Sequence, residues 1–307
     1  MKRFILFIST IIVCSSAYAQ SRDALYERFS EIIQQQDTTA IVNLISDWER
    51  LYPDDAELYS LRANYAYKSA FHEIVIMSDE LPSDVDRYLE LTNPEDPSVI
   101  EGYMFSRIEV DSLKVAEVAS ILAEGVMKHP DRIDLRLGKV RAHFDSGDMH
   151  EAVNELVSAL KYSKVNDNRW LTTLDVPVET DGVSYLRDCI QDCMFELIDA
   201  DALSEAGSII DTAVRCYPKD AIFLSDKAVI QYYSGDLKNA LKTYLTASKY
   251  DPEDMLILNN IAQIYTKLGN NKKALHYYRI IAESSDEEYA GRAKQAISEF
   301  APEGKTK

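Results

Sequence analysis

Two stretches decide the fold: Ala221-Ile-Phe-Leu-Ser-Asp-Lys-Ala-Val-Ile-Gln-Tyr-Tyr-Ser-Gly-Asp236 and Met255-Leu-Ile-Leu-Asn-Asn-Ile-Ala-Gln-Ile-Tyr-Thr-Lys-Leu-Gly-Asn270. They are one pattern written twice, 34 residues apart. The correspondence continues past both: Ala240 answers Ala274, Tyr244 answers Tyr278, and Asp251-Pro252 answers Ser285-Asp286. One step earlier, Ile190, Ala206, Ile210, Ala213 and Pro218 fall in the same register. A fixed period of this length marks units that stack on one another. Within a unit, Leu224, Ala228 and Gln231 share one helix face, and Gly235-Asp236 supplies a break followed by a helix cap. The second helix carries Leu237, Ala240, Leu241, Tyr244 and Ala247 at the same spacings. Alanines at its contact positions let two helix axes approach closely. Pro252 then ends the element.

This pattern resembles the tetratricopeptide repeat, a pair of antiparallel helices with small residues at their contact. The resemblance implies an all-α superhelix, a solenoid of about six helix pairs with a C-terminal capping helix. Residues 131–300 are expected to form the regular array and 20–130 a looser set of helix pairs. Glu287–Phe300, with Tyr289, Ala293, Ala296 and Phe300 on one face, is expected to cover the last repeat. Residues 301–307 read as a tail.

In the irregular part, Ser21–Gln36 and Thr38–Leu51 read as one helix pair and Ala56–Met77 as the start of the next. Ser78–Pro97, with Pro82, Pro94 and Pro97 among acids, reads as a loop with one helical turn at Val85–Leu91. Ser98–Glu109 and Ser112–Lys128 read as helices. From Ala152 to Ala206 is one period plus about twenty residues, so an insert lies near 165–184. Its Trp170, Leu171, Leu174, Val176, Pro177 and Val178 are apolar, so it is expected to fold back on the array.

Residues 1–19 read as a secretory signal peptide: Lys2-Arg3, an apolar run to Cys14, and Ala17-Tyr18-Ala19 as the cleavage site. The expected location is a bacterial periplasm or envelope. In a rival reading, Cys14 is acylated and the solenoid is a lipid-anchored part of an outer-membrane assembly or uptake complex. The chain has 33 Lys and Arg against 51 Asp and Glu, a formal charge of −18. That balance excludes a nucleic-acid footprint and disfavours an anionic membrane surface.

No glycine-rich phosphate loop, paired metal ligands or nucleophile elbow occurs, so neither a catalytic residue, a metal site nor a cofactor is expected. Cys189, Cys193 and Cys216 read either as buried small hydrophobes or as a disulfide from Cys216 to Cys189 or Cys193. What remains is recognition of a protein or peptide. In the family this chain resembles, first helices of successive pairs line a concave binding surface. That places Arg141 and Phe144, then Phe195 and Ile198, then Val229, Tyr232 and Tyr233, and finally Asn259 and Gln263 on the groove.

Overall fold

The computed structural model describes residues 21–35 and 37–300, so the signal segment, Cys14 and the C-terminal tail lie outside the described residues. The described chain is mostly helical, with thirteen α-helices following one another as six pairs and a final single helix. They are α1 Arg22–Gln35, α2 Thr38–Leu51, α3 Ala56–Lys68, α4 Ser112–Lys128, α5 Ile133–Asp145, α6 Met149–Tyr162 and α7 Gly182–Asp199. The remainder are α8 Leu203–Cys216, α9 Ala221–Tyr233, α10 Leu237–Tyr250, α11 Met255–Lys267, α12 Asn271–Ala282 and α13 Glu287–Glu299.

Local chemistry sets these ends. Asp220 and Asp254 cap α9 and α11, and Asp236 and Asn270 cap α10 and α12, each accepting from backbone N–H groups of the first turn. Such caps satisfy donors that have no partner inside the helix. Between the helices of a pair, Gly147, Gly235 and Gly269 take φ of 78°, 79° and 73°, a conformation only glycine adopts freely.

The chain forms two compact units. The second comprises 153–169 and 179–300 of the described residues, and its core runs through the repeat. Leu224, Ala228, Ala240, Tyr244, Ala247, Leu258, Ala262, Ala274 and Tyr278 form one buried cluster, with Tyr289 and Ala296 of the last helix and its C-cap Phe300 against it. Ala240 and Ala274 are fully buried. Ala240→Leu and Ala274→Leu are each expected to cost about 1–2 kcal/mol by overpacking these contacts, checked by urea melts of the single variants.

The first unit comprises 21–152 and 170–178. One cluster joins Leu25, Phe29, Ile41, Leu44, Trp48, Leu58 and Leu61; another joins Tyr59, Ala63, Ala66, Val115, Val118, Leu122 and Leu135. Gly125 of α4 is buried so tightly that an added methyl would stand 2.8 Å from the Tyr59 Cβ. Between α3 and α4, where the other pairs have a short turn, the chain leaves the helices and returns forty residues later. The excursion is a three-stranded antiparallel sheet: β1 Phe71–Ser78, β2 Leu89–Thr92 and β3 Ile100–Val110, in the order β1-β3-β2. Phe71 pairs with Val110, and the Asp111 N–H donates to the Ala70 carbonyl at 2.8 Å, closing the mouth of the excursion. Asp111 then caps α4 as Asp236 caps α10.

This corrects three expectations. α3 stops at Lys68 rather than running to Met77, 78–97 contains β2 rather than a helical turn, and 98–109 is a strand rather than a helix. The reason is that Ile100, Met104 and Ile108 are four apart, a spacing compatible with a helix face and also with one face of a strand. The β-branched run Ile74-Val75-Ile76 opposite favours the strand.

The apolar insert folds back within the first unit. Trp170 is buried, and Leu171 bridges to Arg132 and Pro177. Residues Thr173–Asp175 form a 3-10 turn in which the Leu174 N–H donates to Glu57 Oε1 at 2.6 Å. Arg132, 1% exposed at its side chain, reaches Glu57 at 2.7 Å, Asp134 at 2.7 Å and Asp175 at 3.3 Å. Arg22 of α1 adds a 2.7 Å bond to the other Asp175 oxygen. Burial drives the Glu57 pKa up despite Arg132, whereas burial of Asp175 is outweighed by Arg22 and Arg132, which hold its pKa down.

Candidate functional site

In the first unit, first helices line a groove of about 340 Å³. Ser60, Ala63, Asn64 and Tyr67 come from α3 at the three-and-four spacing of one helix face. Asp134, Gly138 and Arg141 come from α5 on the same rule, and Tyr26 from α1. Val118, Leu122 and Leu135 make an apolar floor, and Thr173 of the folded-back insert stands at the rim. Ala63 and Gly138 are small, which leaves the volume open.

Arg141 is held by Asp145 at 2.6 Å, and Asp145 also accepts from the Tyr67 hydroxyl. Burial, and then the Asp145 carboxylate, push the Tyr67 pKa up, so that hydroxyl is a fixed donor. The groove thus offers rigid aromatic surface beside amide, hydroxyl and guanidinium groups. Surfaces of this composition suit ligands that combine apolar contact with hydrogen bonds. Among the described residues there is no cluster of His, Cys, Asp or Glu that could hold a metal ion.

Of the residues the sequence reading assigned to a groove, Arg141 lines this cavity and Phe144 is half-buried on the same helix. Tyr26, Ser60, Asn64 and Tyr67 were missed, because the repeat register is interrupted between α3 and α4. The signal available was the 60, 63, 64, 67 spacing itself.

The other assigned residues lie in the second unit. Phe195 is 49% exposed and Ile198 half-buried on α7; Val229 and Tyr232 are half-buried and Tyr233 57% exposed on α9; on α11, Asn259 is half-buried and Gln263 exposed. Leu224 and Ala228 are buried, and Gln231 accepts from Thr243 of α10 at 2.8 Å, so that face of α9 is turned to its pair. Tyr232 and Tyr233 meet edge to face at 5.9 Å, and Lys267 of α11 sits 4.6 Å over the Tyr232 ring. That cation holds one tyrosine in place while its neighbour stays open.

Behind this face lies a buried polar network that the sequence did not flag. Gln191 of α7 donates to Asp226 Oδ1 of α9 at 2.9 Å, Arg187 binds Asp220 at 2.6 Å, and Asn260 of α11 donates to the Tyr244 hydroxyl at 3.0 Å. Asp226 is 3% exposed and its Oδ2 lacks a partner. Burial, reinforced by Asp220 and opposed by Gln191 and Arg187, pushes its pKa up to about 7.

Cys189, Cys193 and Cys216 are unbridged thiols of intermediate burial in this structure, the arrangement of the first of the two expectations. Burial, with Asp192 and Asp188 close by, pushes the Cys189 thiol up to about 11, so it stays protonated, and only the thiolate attacks. No helix among the described residues is long and apolar enough to cross a membrane.

The family model described as TPR repeat matches residues 230–269. No curated protein sequence matches the chain. Among solved structures, a thermophilic TPR protein of Thermus thermophilus is similar at a TM-score of 0.35 and 16% identity, covering 60% of this chain and 91% of that one. YrrB, described as a TPR protein with an unusual peptide-binding site, is similar at a TM-score of 0.40 and 14% identity, covering 82% and 97%. MamA of Desulfovibrio magneticus is similar at 0.34 and 13%, covering 61% and 88%. The match on 230–269 runs from the end of α9 through α10 and α11, and the same caps and alanine contacts recur in α12, so this stretch of the chain carries the tetratricopeptide repeat pattern.

Proposed function

We propose that the chain is an exported, non-catalytic scaffold of the bacterial cell envelope that holds an extended peptide segment of a partner protein against the first helices of its repeats. The observation that carries this reading is the groove lined by Tyr26, Asn64, Tyr67 and Arg141, open in volume and walled by aromatic rings beside amide and guanidinium groups. The second unit offers a companion surface at Tyr233, Phe195 and Gln263. The signal-like segment 1–19 supports export, and the acidic charge supports a neutral or basic partner.

The test begins with affinity capture from native envelopes and titration of the captured protein against variants. Asn64→Ala with Arg141→Ala is expected to weaken binding about tenfold, roughly 1.4 kcal/mol. Tyr232→Ala with Tyr233→Ala is expected to do the same for a partner that docks on the second unit's own surface. Unchanged affinity in both double variants, with helical content intact, would remove the groove from the mechanism. Mass spectrometry of the mature protein is expected to start at Gln20; an acylated Cys14 would replace the soluble form with a tethered one.

A further inference from the structure

The sheet between α3 and α4 is not needed to close its helix pair, since the Asp111–Ala70 bond already joins the two ends. It is also poorly covered. Among its described residues only Gly102 and Phe105 are buried. Pairing of Met77 with Met104 and of Met104 with Leu89 makes one row of side chains across all three strands. Alternation puts Val75 and Ile108 on the same face. Val75 is 66%, Met77 70%, Leu89 61% and Ile108 62% exposed, a run of large apolar groups in water. Soluble proteins keep such surfaces for partners.

The two edges differ. β2 is four residues long, carries an irregularity at Leu91/Thr92, and is followed by Pro94 and Pro97, all devices that block strand addition. β1 is eight residues long and contains no Pro, Gly or Lys. It lies at the edge of the sheet, so alternate N–H and C=O groups along it point away from β3.

Charge identifies the occupant. Residues 71–110 hold ten carboxylates against Arg87 and Arg107, a net charge of −8, and Arg107 is itself committed to Asp84 at 3.0 Å. The apolar centre Ile74–Met77 is bracketed by Glu73 at one end and Asp79-Glu80 at the other. A second copy would bring −8 against −8, so self-pairing is opposed. We propose that this edge receives a basic, extended segment of another protein. Four or so apolar residues flanked by Lys or Arg would add as a fourth strand along β1, widening the Met77–Met104–Leu89 row while the cations meet Glu73, Asp79 and Glu80. Main-chain hydrogen bonds supply affinity in this mode, and the flanking charges supply selection.

The probe is an end-blocked Lys-Lys-Val-Ile-Val-Ile-Lys-Lys peptide titrated against the whole chain, with Glu-Glu-Val-Ile-Val-Ile-Glu-Glu as its counterpart. The basic peptide is expected to bind at least tenfold more tightly and to slow amide exchange at 74–77. Val75→Lys with Met77→Lys should weaken it at least tenfold. Should that variant lose its sheet, Glu73→Lys with Asp79→Lys and Glu80→Lys, which leaves the apolar centre intact, is expected to reverse the preference between the two peptides. Equal binding of both peptides, or binding of the basic one without protection of β1, overturns the proposal. So does a dimer of the chain alone that Val75→Lys with Met77→Lys dissociates, because the edge would then belong to a second copy.

Discussion

Arg132→Ala is expected to destabilise the first unit by about 3–5 kcal/mol, because it strips the fully buried Glu57 of its closest cation, leaving a carboxyl that must either stay charged without that partner or take up a proton. The loss extends beyond one ion pair. Arg132 also ties Asp175, next to Leu174, and these two residues hold left-handed backbone at φ of 59° and 60°. That conformation persists only where the surroundings enforce it, so the turn should loosen and Trp170 should gain exposure. Both tryptophans of the chain, Trp48 and Trp170, lie in the first unit, so their fluorescence follows its unfolding alone. Adding Glu57→Gln to Arg132→Ala should recover part of the stability by removing the orphaned charge. A single variant that melts within 1 kcal/mol of the parent (about a third or less of the expected loss) would show that Arg22, 3.6 Å from Glu57, replaces Arg132.

The second unit is expected to lose about 2.5 kcal/mol of stability as pH rises from 5 to 8, through Asp226. Its carboxyl is held near 7 in the folded protein against an ordinary value of 3.8. A folded pKa above the unfolded one means that the folded state binds the extra proton. The stabilising effect is therefore fully present below about pH 4 and disappears as pH passes through 7. From pH 5 to the folded value near 7 is about two units, which at 1.36 kcal/mol per unit gives roughly the figure above. Asp226→Asn keeps an oxygen to accept from Gln191 and removes the titration. The variant should lose this slope, measured by urea melts at pH 5, 6.5 and 8 and followed by circular dichroism in the transition that leaves Trp fluorescence unchanged. Parallel pH profiles for parent and variant would mean that Asp226 remains charged throughout.

The repeat period was legible because its signals agree with one another. The caps at Asp220, Asp236, Asp254 and Asn270, the glycines at 235 and 269 and the alanines at 240 and 274 each act within a few residues of themselves. Each names the same helix pair, so the fold class followed from the sequence alone, as did the capping role of the last helix and the apolar character of the insert. The same register put Arg141 on a first-helix face, and it lines the cavity of the first unit.

Tertiary structure decided what depends on residues far apart in the chain. Strand β3 became a strand because Phe71–Ser78 lies beside it, and a four-residue apolar spacing cannot by itself choose between helix and strand. The ion cluster joins Arg22, Glu57, Arg132 and Asp175 across more than 150 positions, and no local pattern marks them as partners. Asp226 reads in sequence as an ordinary polar residue of a helix; its raised pKa exists only because folding shuts out water around it. Local backbone chemistry wrote the repeats, and burial, which only the folded chain defines, set which charges are costly and which apolar faces are left open.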